Sequence, residues 1–443
     1  MATMKLASWA STLEYSSIPE PVRVAAIQSF YNWAGCAIGG SNHAAATIAH
    51  DRLQALFGAP TSSLLGRAGQ RADGQHAALL NGIASHVHDY DDTHLATIIH
   101  PTGPVASALL AFAETRAQPV RGADFLRALV AGIEAECKAG RAVWPAHYDA
   151  GWHITATAGA IGAAVAVGRL LELDARSMAH AIGIAAAQVT GLREMFGSHT
   201  KAFHVGRAAQ NGLLAALLAS GGFTSSVRAL EAKRGWANVV SAVQNLDEVM
   251  DSLGKVWETG KNSFKPFPCG IVIHPIIDGC AQLKPEVEAT GKQIKGVHAK
   301  VHPLVLELTG KKKPKDGLEA KFSVYHGGAL GLLYGKATPA LYEDSVATDP
   351  KVINIRDKID AIEDKSLGAD EAYIAVIFED GSKVEKHIVH AIGSTEVPMT
   401  EEQLTAKFVD QCQPVLGNRT KQVSDALWKV ENVSDIAQLI RGL

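Results

Sequence analysis

The hydrophobic positions of the first 265 residues follow the spacing of amphipathic and buried helices. In PVRVAAIQSFYNWAGCAIGG, apolar side chains recur at helical spacing from Val22 to Ile38, and Gly39-Gly40 marks a helix end. The same spacing runs through three later segments, GADFLRALVAGIEAECKAGRAV, TATAGAIGAAVAVGRLLEL and SMAHAIGIAAAQVTGL. The last two are rich in Ala and Gly, whose small side chains let helices approach closely, so they predict helices in the middle of a bundle.

The pattern changes after residue 265. A helix is predicted from about His274 to Leu283, and the following IKGVHAKVHPLVLEL has the β-branched residues and partial alternation of a strand. AYIAVIFEDGSKVEKHIVHAI predicts a hairpin that turns at Asp380-Gly381, and helical spacing returns in TEEQLTAKFVDQCQPVL and DALWKVENVSDIAQLI. The sequence therefore predicts a mainly α fold with an α+β lid. A large all-helical domain (1–265) would carry a smaller inserted α+β domain (266–395), and C-terminal helices (396–443) would complete the helical domain.

Composition narrows the class of protein. The 443 residues are 47% hydrophobic and 20% charged, with a net charge of −3 and both signs mixed along the chain, which is typical of a globular protein that binds neither nucleic acid nor membranes. The five cysteines include no CxxC pair, so neither a disulfide framework nor a four-thiolate metal site is expected. The sequence has no long apolar run of the kind found in membrane spans or signal peptides, and we expect a cytoplasmic protein.

The densest polar stretch is SHVHDYDDTHLATIIHPTG, from Ser85 to Gly103. Histidine and aspartate are metal ligands, so the stretch is a candidate zinc or harder-ion site, although no HExxH is present and the spacing of His86 and His88 suits a strand. Alternatively, Asp91 or Asp92 caps a helix and the histidines lie on the surface. The third interpretation is an acid–base site without a metal.

Three further segments combine basic side chains with apolar surroundings. GWHITATAG places His153 before an Ala/Gly helix, GSHTKAFHVGRAAQNG places Lys201 between two histidines, and FKPFPCGIVIHP contains Lys265 and His274. A lysine in an apolar setting is costly unless it is paired or functional. These segments are therefore candidate functional sites.

Together with KFSVYH and GSTEVPMTEEQLTAKF, these segments resemble the MmgE/PrpD family, in the family's order and over nearly the whole chain. The resemblance implies a helical domain with an α+β lid, a homodimer, and an enzyme that needs no metal and no organic cofactor. Activities in the family include 2-methylcitrate dehydratase, cis-aconitate decarboxylase and iminodisuccinate epimerase. The expected partner is a small polycarboxylate substrate.

The resemblance also implies roles for individual residues. Lys201 and His153 match active-site positions and are expected to transfer protons, while Asp89, the first residue of the DxDDT motif, orients them. Five further positions are expected to bind substrate, chiefly through its carboxylates: Thr93, His100, Lys265, His274 and the lid tyrosine Tyr325.

The residue types suit one kind of chemistry. Removing a proton α to a carboxylate needs a positioned base and stabilisation of an enolate-like dianion, and histidine can take and return a proton near neutral pH. Gly270 stands where the family's decarboxylases carry a second active-site histidine, and the chain is shorter than typical 2-methylcitrate dehydratases. We therefore predict an epimerase of iminodisuccinate or a similar dicarboxylate. A dehydratase is the second candidate, followed by a decarboxylase and a non-catalytic polycarboxylate-binding protein.

Overall fold

The structure, a computed structural model, describes residues 1–441. The chain divides into two compact units. Unit 1 comprises Met1–Val87, Asp91–Asn262 and the chain from Leu404 onward, and unit 2 comprises His88–Tyr90 and Ser263–Gln403. The predicted mainly α fold with a smaller α+β part is confirmed. Unit 2 also takes in three residues of the polar stretch from Ser85 to Gly103.

Unit 1 is built from helices. Its elements are α1 (Ala2–Thr12), α2 (Glu20–Gly40), α3 (Ala44–Leu53), β1 (Ser62–Ser63), β2 (Arg71–Ala72), α4 (Gly74–His86), β3 (Asp92–His94), α5 (Thr102–Ala113), α6 (Gly122–Val143), α7 (Ala146–Asp149), α8 (Ile154–Leu170), α9 (Ala175–Ala186), α10 (His199–Ser220), α11 (Trp236–Val240) and α12 (Leu246–Asp251). Strand β4 (Asn262–Phe264) begins at the last residue of this stretch of unit 1. Among residues 1–441, no helix combines the length and the apolar character that crossing a membrane requires.

The centre of unit 1 consists of helices made of small residues. Every residue of α8 is buried, as its Ala- and Gly-rich sequence predicts, and so is every residue of α5. Helices α4 and α10 approach so closely that a Cβ on Gly82 would lie 2.5 Å from the Cα of Gly206. The absence of side chains at this crossing brings the end of α4 close to the start of α10, and both regions carry candidate site residues.

Unit 2 packs helices against a four-stranded sheet. Its elements are α13 (His274–Thr290), β5 (Ile294–Val301), α14 (Pro303–Thr309), α15 (Gly317–Ala320), α16 (Val324–Tyr334), α17 (Asp344–Ala347), α18 (Pro350–Arg356), β6 (Ile359–Glu363), β7 (Ala372–Phe378) and β8 (Lys383–Ile388). The strand order is β6-β5-β7-β8, with β5 parallel to β6 and antiparallel to β7. Helices α13 and α16 supply apolar side chains to the core of this unit.

Two predictions for unit 2 need correction and one is confirmed. Helix α13 continues past Leu283 to Thr290 and ends at Gly291, whose φ of 62° is the left-handed conformation that often follows a helix. The predicted strand stops at Val301, because Pro303 begins α14 with its fixed φ and the side chain of His302 caps that helix. The hairpin of β7 and β8 does turn at Asp380-Gly381.

Three helices follow the last strand of unit 2 along the chain. Helix α19 (Glu401–Leu416) begins in unit 2 and runs into unit 1, and α20 (Thr420–Trp428) and α21 (Ile436–Arg441) belong to unit 1. Tyr31 of α2 stacks on Trp428 with ring centroids 4.0 Å apart and donates or accepts a buried hydrogen bond with Ser424. These contacts tie α20 to the first long helix of unit 1.

The contact between α4 and α10 gives a test of the close-packed centre. A Cβ on Gly206 would press on the backbone carbonyl of Leu79, which cannot rotate away as a side chain would. Overpacking of this kind costs about 1–3 kcal/mol, so we expect Gly206→Ala to lower the free energy of unfolding by about that amount. Urea unfolding followed by circular dichroism measures the change.

The matched control is Gly221→Ala at the end of the same helix. There the nearest atom to an added Cβ is the carbonyl oxygen of Leu218 at 3.5 Å, which is ordinary contact. Its unfolding midpoint should stay near that of the parent protein. Equal effects of the two substitutions would contradict the close approach of α4 and α10.

Candidate active site

The polar stretch from Ser85 to Gly103 contributes to both units. His86 ends α4, the segment 88–90 belongs to unit 2, and Asp92–His94 forms β3 in unit 1. His86, His94 and His100 are buried, so the interpretation of surface histidines is wrong for these three. The stretch is therefore an interior polar segment, and its side chains must find partners inside the protein.

Asp92 serves partly as a helix cap. Its carboxylate accepts hydrogen bonds from the backbone N–H and the hydroxyl of Thr102, the first residue of α5, and from the side-chain amide of Asn262. Burial, followed by the nearby charge of Asp91, raises the pKa of Asp92 to about 6. The same amide of Asn262 donates to the hydroxyl of Ser29 at 3.0 Å. Asp92 thus joins α5, α2 and the end of the second stretch of unit 1.

A hydrogen-bonded group forms around Asp91. Its Oδ2 lies 2.7 Å from Nδ1 of His86, and both side chains are fully buried. Its Oδ1 lies 3.8 Å from Nδ1 of His100. Because a carbonyl oxygen only accepts, the 2.8 Å contact from His100 Nδ1 to the carbonyl of Asp92 places a proton on that nitrogen, and the hydroxyl of Thr93 lies 3.2 Å from the same atom. Thr93 and His100 are therefore neighbours.

Three side chains of unit 1, those of His86, Asp91 and His100, belong to a group that could hold a metal ion. One ligand atom each from His86, Asp91 and His100 lies within 4.8 Å of the others. The Nδ1 atoms of both histidines are engaged in short contacts with oxygen acceptors. Such contacts accompany metal-binding histidines as well as metal-free networks, so the absence of a metal stays a prediction to be tested.

The second feature of unit 1 is a contact between two imidazoles. His153 precedes the first residue of α8, and its Nδ1 lies 3.0 Å from Nδ1 of His204 in α10. Both rings are buried, and the ring of His153 lies 6.1 Å from that of His86. Unit 1 thus brings the histidine of GWH beside the histidine that follows Lys201.

Burial decides the protonation of this pair. Desolvation, then the charge of Lys201 and those of neighbouring histidines, holds the pKa of His153 well below its usual range. Desolvation, followed by the charges of His86 and Lys201, lowers the pKa of His204 to about 4. Both imidazoles are therefore neutral near pH 7 and hold a lone pair that can accept a proton.

Lys201 reaches the same region from the first turn of α10. Its side chain is half-buried, and its Nζ lies 5.4 Å from the ring centroid of Phe196. The ring of His153 meets Phe196 edge-on, with centroids 5.1 Å apart. His153 and Lys201 therefore share one aromatic neighbour.

In unit 2, two lysines hold the short segment 88–90. Lys265 Nζ lies 2.7 Å from Oδ1 of Asp89 and donates to the backbone carbonyl of the same residue at 3.2 Å. Lys321 Nζ donates to the carbonyl of His88 at 2.9 Å, and Tyr90 donates its hydroxyl to the carbonyl of Pro266. Asp89 has φ of 53°, a left-handed conformation rare for residues other than glycine. Strained backbone of this kind is found preferentially at functional sites.

The remaining predicted residues of unit 2 lie at helix starts. His274 is the first residue of α13 and meets Phe267 edge-on at 5.4 Å, and Tyr325 is the second residue of α16, with Lys312 Nζ 5.4 Å from its ring centroid. Both side chains are buried. A Cβ on Gly270 would lie 3.3 Å from Cγ2 of Thr309 and 3.8 Å from the carbonyl oxygen of Lys321, so a side chain there would stand beside Lys321.

The sequence also held signals that the site prediction did not use. His204 follows Lys201 by three residues, which places both on one helical face. Lys321 is the first residue of KFSVYH, and His86 and Asp91 lie in the polar stretch itself. His86 and Asp91 are only five residues apart, but the partners of His204 and Lys321 lie 51 and 233 residues away, so those two contacts could be learned only from the packed structure.

Nearly the whole chain is similar in sequence to known proteins. The MmgE/PrpD N-terminal domain matches residues 4–249, and the MmgE/PrpD C-terminal domain matches residues 267–430. Cis-aconitate decarboxylase of Aspergillus terreus is 26% identical over 100% of this chain and 95% of its own length, and that of Mus musculus is 25% identical over 87% and 83%. The 2-methylcitrate dehydratase of Escherichia coli is 27% identical over 28% of each chain. The matches to both family domains show that the chain belongs to the MmgE/PrpD family.

Proposed function

We propose that this protein is a cofactor-independent enzyme that removes the proton α to a carboxylate of a small di- or tricarboxylate. As a family member it is an isomerase or a lyase. Within that class, we propose an epimerase that acts on iminodisuccinate or a similar dicarboxylate. The observation that carries the proposal is the neutral, buried imidazole of His153, which shares an aromatic neighbour with Lys201.

The proton transfers follow from these two side chains. A neutral imidazole with a free lone pair can accept the α-proton, and a lysine ammonium can deliver a proton to the carbanion. Epimerisation needs a proton donor and a proton acceptor on opposite faces of one carbon, and a histidine with a lysine can supply them. The enolate-like dianion formed between these steps needs positive charge and hydrogen-bond donors close by.

Binding of the carboxylates falls to the other predicted residues. Lys265 is a buried cation already paired with a carboxylate, that of Asp89, which supports a role in holding anionic groups. Thr93, His100, His274 and Tyr325 are buried polar side chains with hydrogen-bonding capacity, and we assign them to the substrate. A homodimer, and the absence of nucleic-acid and membrane partners, stay predictions from the sequence.

Decarboxylation and dehydration are the other reactions to be tested. The full-length similarity to cis-aconitate decarboxylases favours the first, whereas Gly270 counts against it because those enzymes are expected to carry a histidine there. The partial similarity to 2-methylcitrate dehydratase keeps the second as a candidate. The three reactions differ in their outcome: epimerisation returns a proton to the opposite face of the carbon, dehydration releases water, and decarboxylation releases CO2.

The branches can be separated by nuclear magnetic resonance in D2O. An epimerase should introduce deuterium at the α-carbon of a dicarboxylate such as iminodisuccinate, and optical rotation should drift towards the equilibrium mixture with no change in composition. A dehydratase given 2-methylcitrate would form an alkene that absorbs in the ultraviolet, and a decarboxylase would release CO2 from cis-aconitate. An alkene product without inversion of any dicarboxylate would exclude the epimerase.

The assigned roles predict distinct kinetic effects. We expect His153→Gln and Lys201→Ala to lower kcat by roughly 10²–10⁴, the usual contribution of a general acid or base. Lys265→Ala should act mainly on KM if its charge binds substrate. Lys255→Ala, at an exposed position, serves as the control. Near-normal turnover in both the His153 and Lys201 variants would remove them as the proton-transfer pair.

We also expect the enzyme to work without a metal ion. This expectation rests on the resemblance to the MmgE/PrpD family and on the lack of an HExxH or CxxC metal motif in the sequence. Elemental analysis of the purified chain should find no stoichiometric transition metal, and exhaustive chelation should leave the turnover rate unchanged. A loss of rate that zinc or iron restores would reinstate a metal site in the stretch from Ser85 to Gly103.

A further inference from the structure

The contact between His153 and His204 has a chemical requirement that other histidine contacts in unit 1 lack. The two Nδ1 atoms lie 3.0 Å apart, and no carboxylate or carbonyl stands between them. Two imidazole nitrogens can form a hydrogen bond only if one carries a proton and the other a lone pair. The tautomer of one ring is therefore tied to the tautomer of the other.

The surroundings favour a neutral pair, with one proton between the two Nδ1 atoms and no extra proton on either ring. The charged or titratable groups nearest the pair are Lys201 on α10, His86 at the end of α4 and His100. Asp91, which follows α4 in the chain, is the partner of His86. The positive charge of Lys201 and the burial of both rings oppose a second proton on either imidazole. Near pH 7 the pair is a neutral donor and a neutral acceptor.

We propose that His204 is a positioning residue that accepts the Nδ1 proton of His153 and so keeps the lone pair of His153 on Nε2. Nε2 is then the atom that receives the substrate's α-proton. While His153 holds that extra proton, its Nδ1–H continues to donate to His204, which stabilises the imidazolium. This inference rests on the proposed function in one respect only, the role of His153 as the base.

Gly191 lies beside both histidines of the pair. Its carbonyl accepts the backbone N–H of His153 at 3.0 Å, and its φ of 100° is a conformation that side chains disfavour. A Cβ there would lie 2.7 Å from Cβ of Ala156, 3.3 Å from Cβ of His153 and 3.4 Å from Cγ of His204. The glycine therefore fixes the position of His153 and lets this backbone lie close to both histidines.

Two substitutions of His204 separate positioning from packing. The amide of asparagine can accept a hydrogen bond close to where imidazole Nδ1 does, whereas leucine fills similar space without an acceptor. We expect His204→Leu to slow α-hydrogen exchange by roughly 10²–10⁴ with KM changed less than about threefold, and His204→Asn to recover to within about tenfold of the parent. His180→Asn, in α9 outside the histidine cluster, controls for loss of an imidazole.

A second measurement needs no substrate. In the full chain labelled with 15N-histidine, the ring nitrogens of His153, identified by their loss in His153→Gln, should report a proton on Nδ1 and none on Nε2 at pH 7. That pattern should persist in His204→Asn and be lost in His204→Leu. If no substrate is found but the spectra behave in this way, the proposed reaction fails while the positioning by His204 stands.

Three results would overturn the inference. The first is an unchanged His153 tautomer in His204→Leu, and the second is a proton on Nε2 instead of Nδ1 in the parent protein. The third is exchange as slow in His204→Asn as in His204→Leu when thermal melting shows both variants folded, since the acceptor would then not be what matters.

Discussion

The arrangement of side chains inside unit 1 depends on one constraint, the loss of water from its buried polar groups. The interior contains histidines and carboxylates that have lost their water, and hydrogen bonds to other buried groups offset part of that cost. Asp91 is held by His86, Asp92 by Thr102 and Asn262, and the imidazole of His153 by that of His204. The same desolvation that makes these bonds necessary keeps His153 neutral and able to accept a proton.

Small residues make this interior possible. Alanine and glycine along α5, α8 and α10 let helix backbones approach until little apolar volume separates them, and the polar groups at their ends then come within hydrogen-bond reach. Gly206 and Gly191 show the two forms of this effect, one at a helix crossing and one beside a pair of imidazoles. Packing and chemistry therefore place demands on the same positions, and a substitution made for stability can disturb proton transfer.

In unit 2, charged side chains hold a short segment of backbone in place. Lys265 and Lys321 donate to the segment 88–90, and the ion pair of Lys265 with Asp89 accompanies a left-handed backbone that costs about 1–3 kcal/mol in an unsupported chain. Tyr90 adds a hydrogen bond to Pro266. Three residues taken from the middle of the polar stretch are thereby fixed in unit 2, while the residues on either side belong to unit 1.

The sequence by itself determined the fold class and most element positions, because helical spacing, Ala/Gly content and the Asp380-Gly381 turn act over a few neighbouring residues. It also determined the candidate residues, through motifs in the family's order. The sequence predicted the ends of α13 and of the strand before α14 less accurately, since local propensity does not determine how long an element that packs on a core will be. Only the tertiary structure decided which side chains meet. His153 and His204 are 51 residues apart in sequence, and Lys265 and Asp89 are 176 apart, so their contacts arise from helix packing and buried charge that no local pattern records.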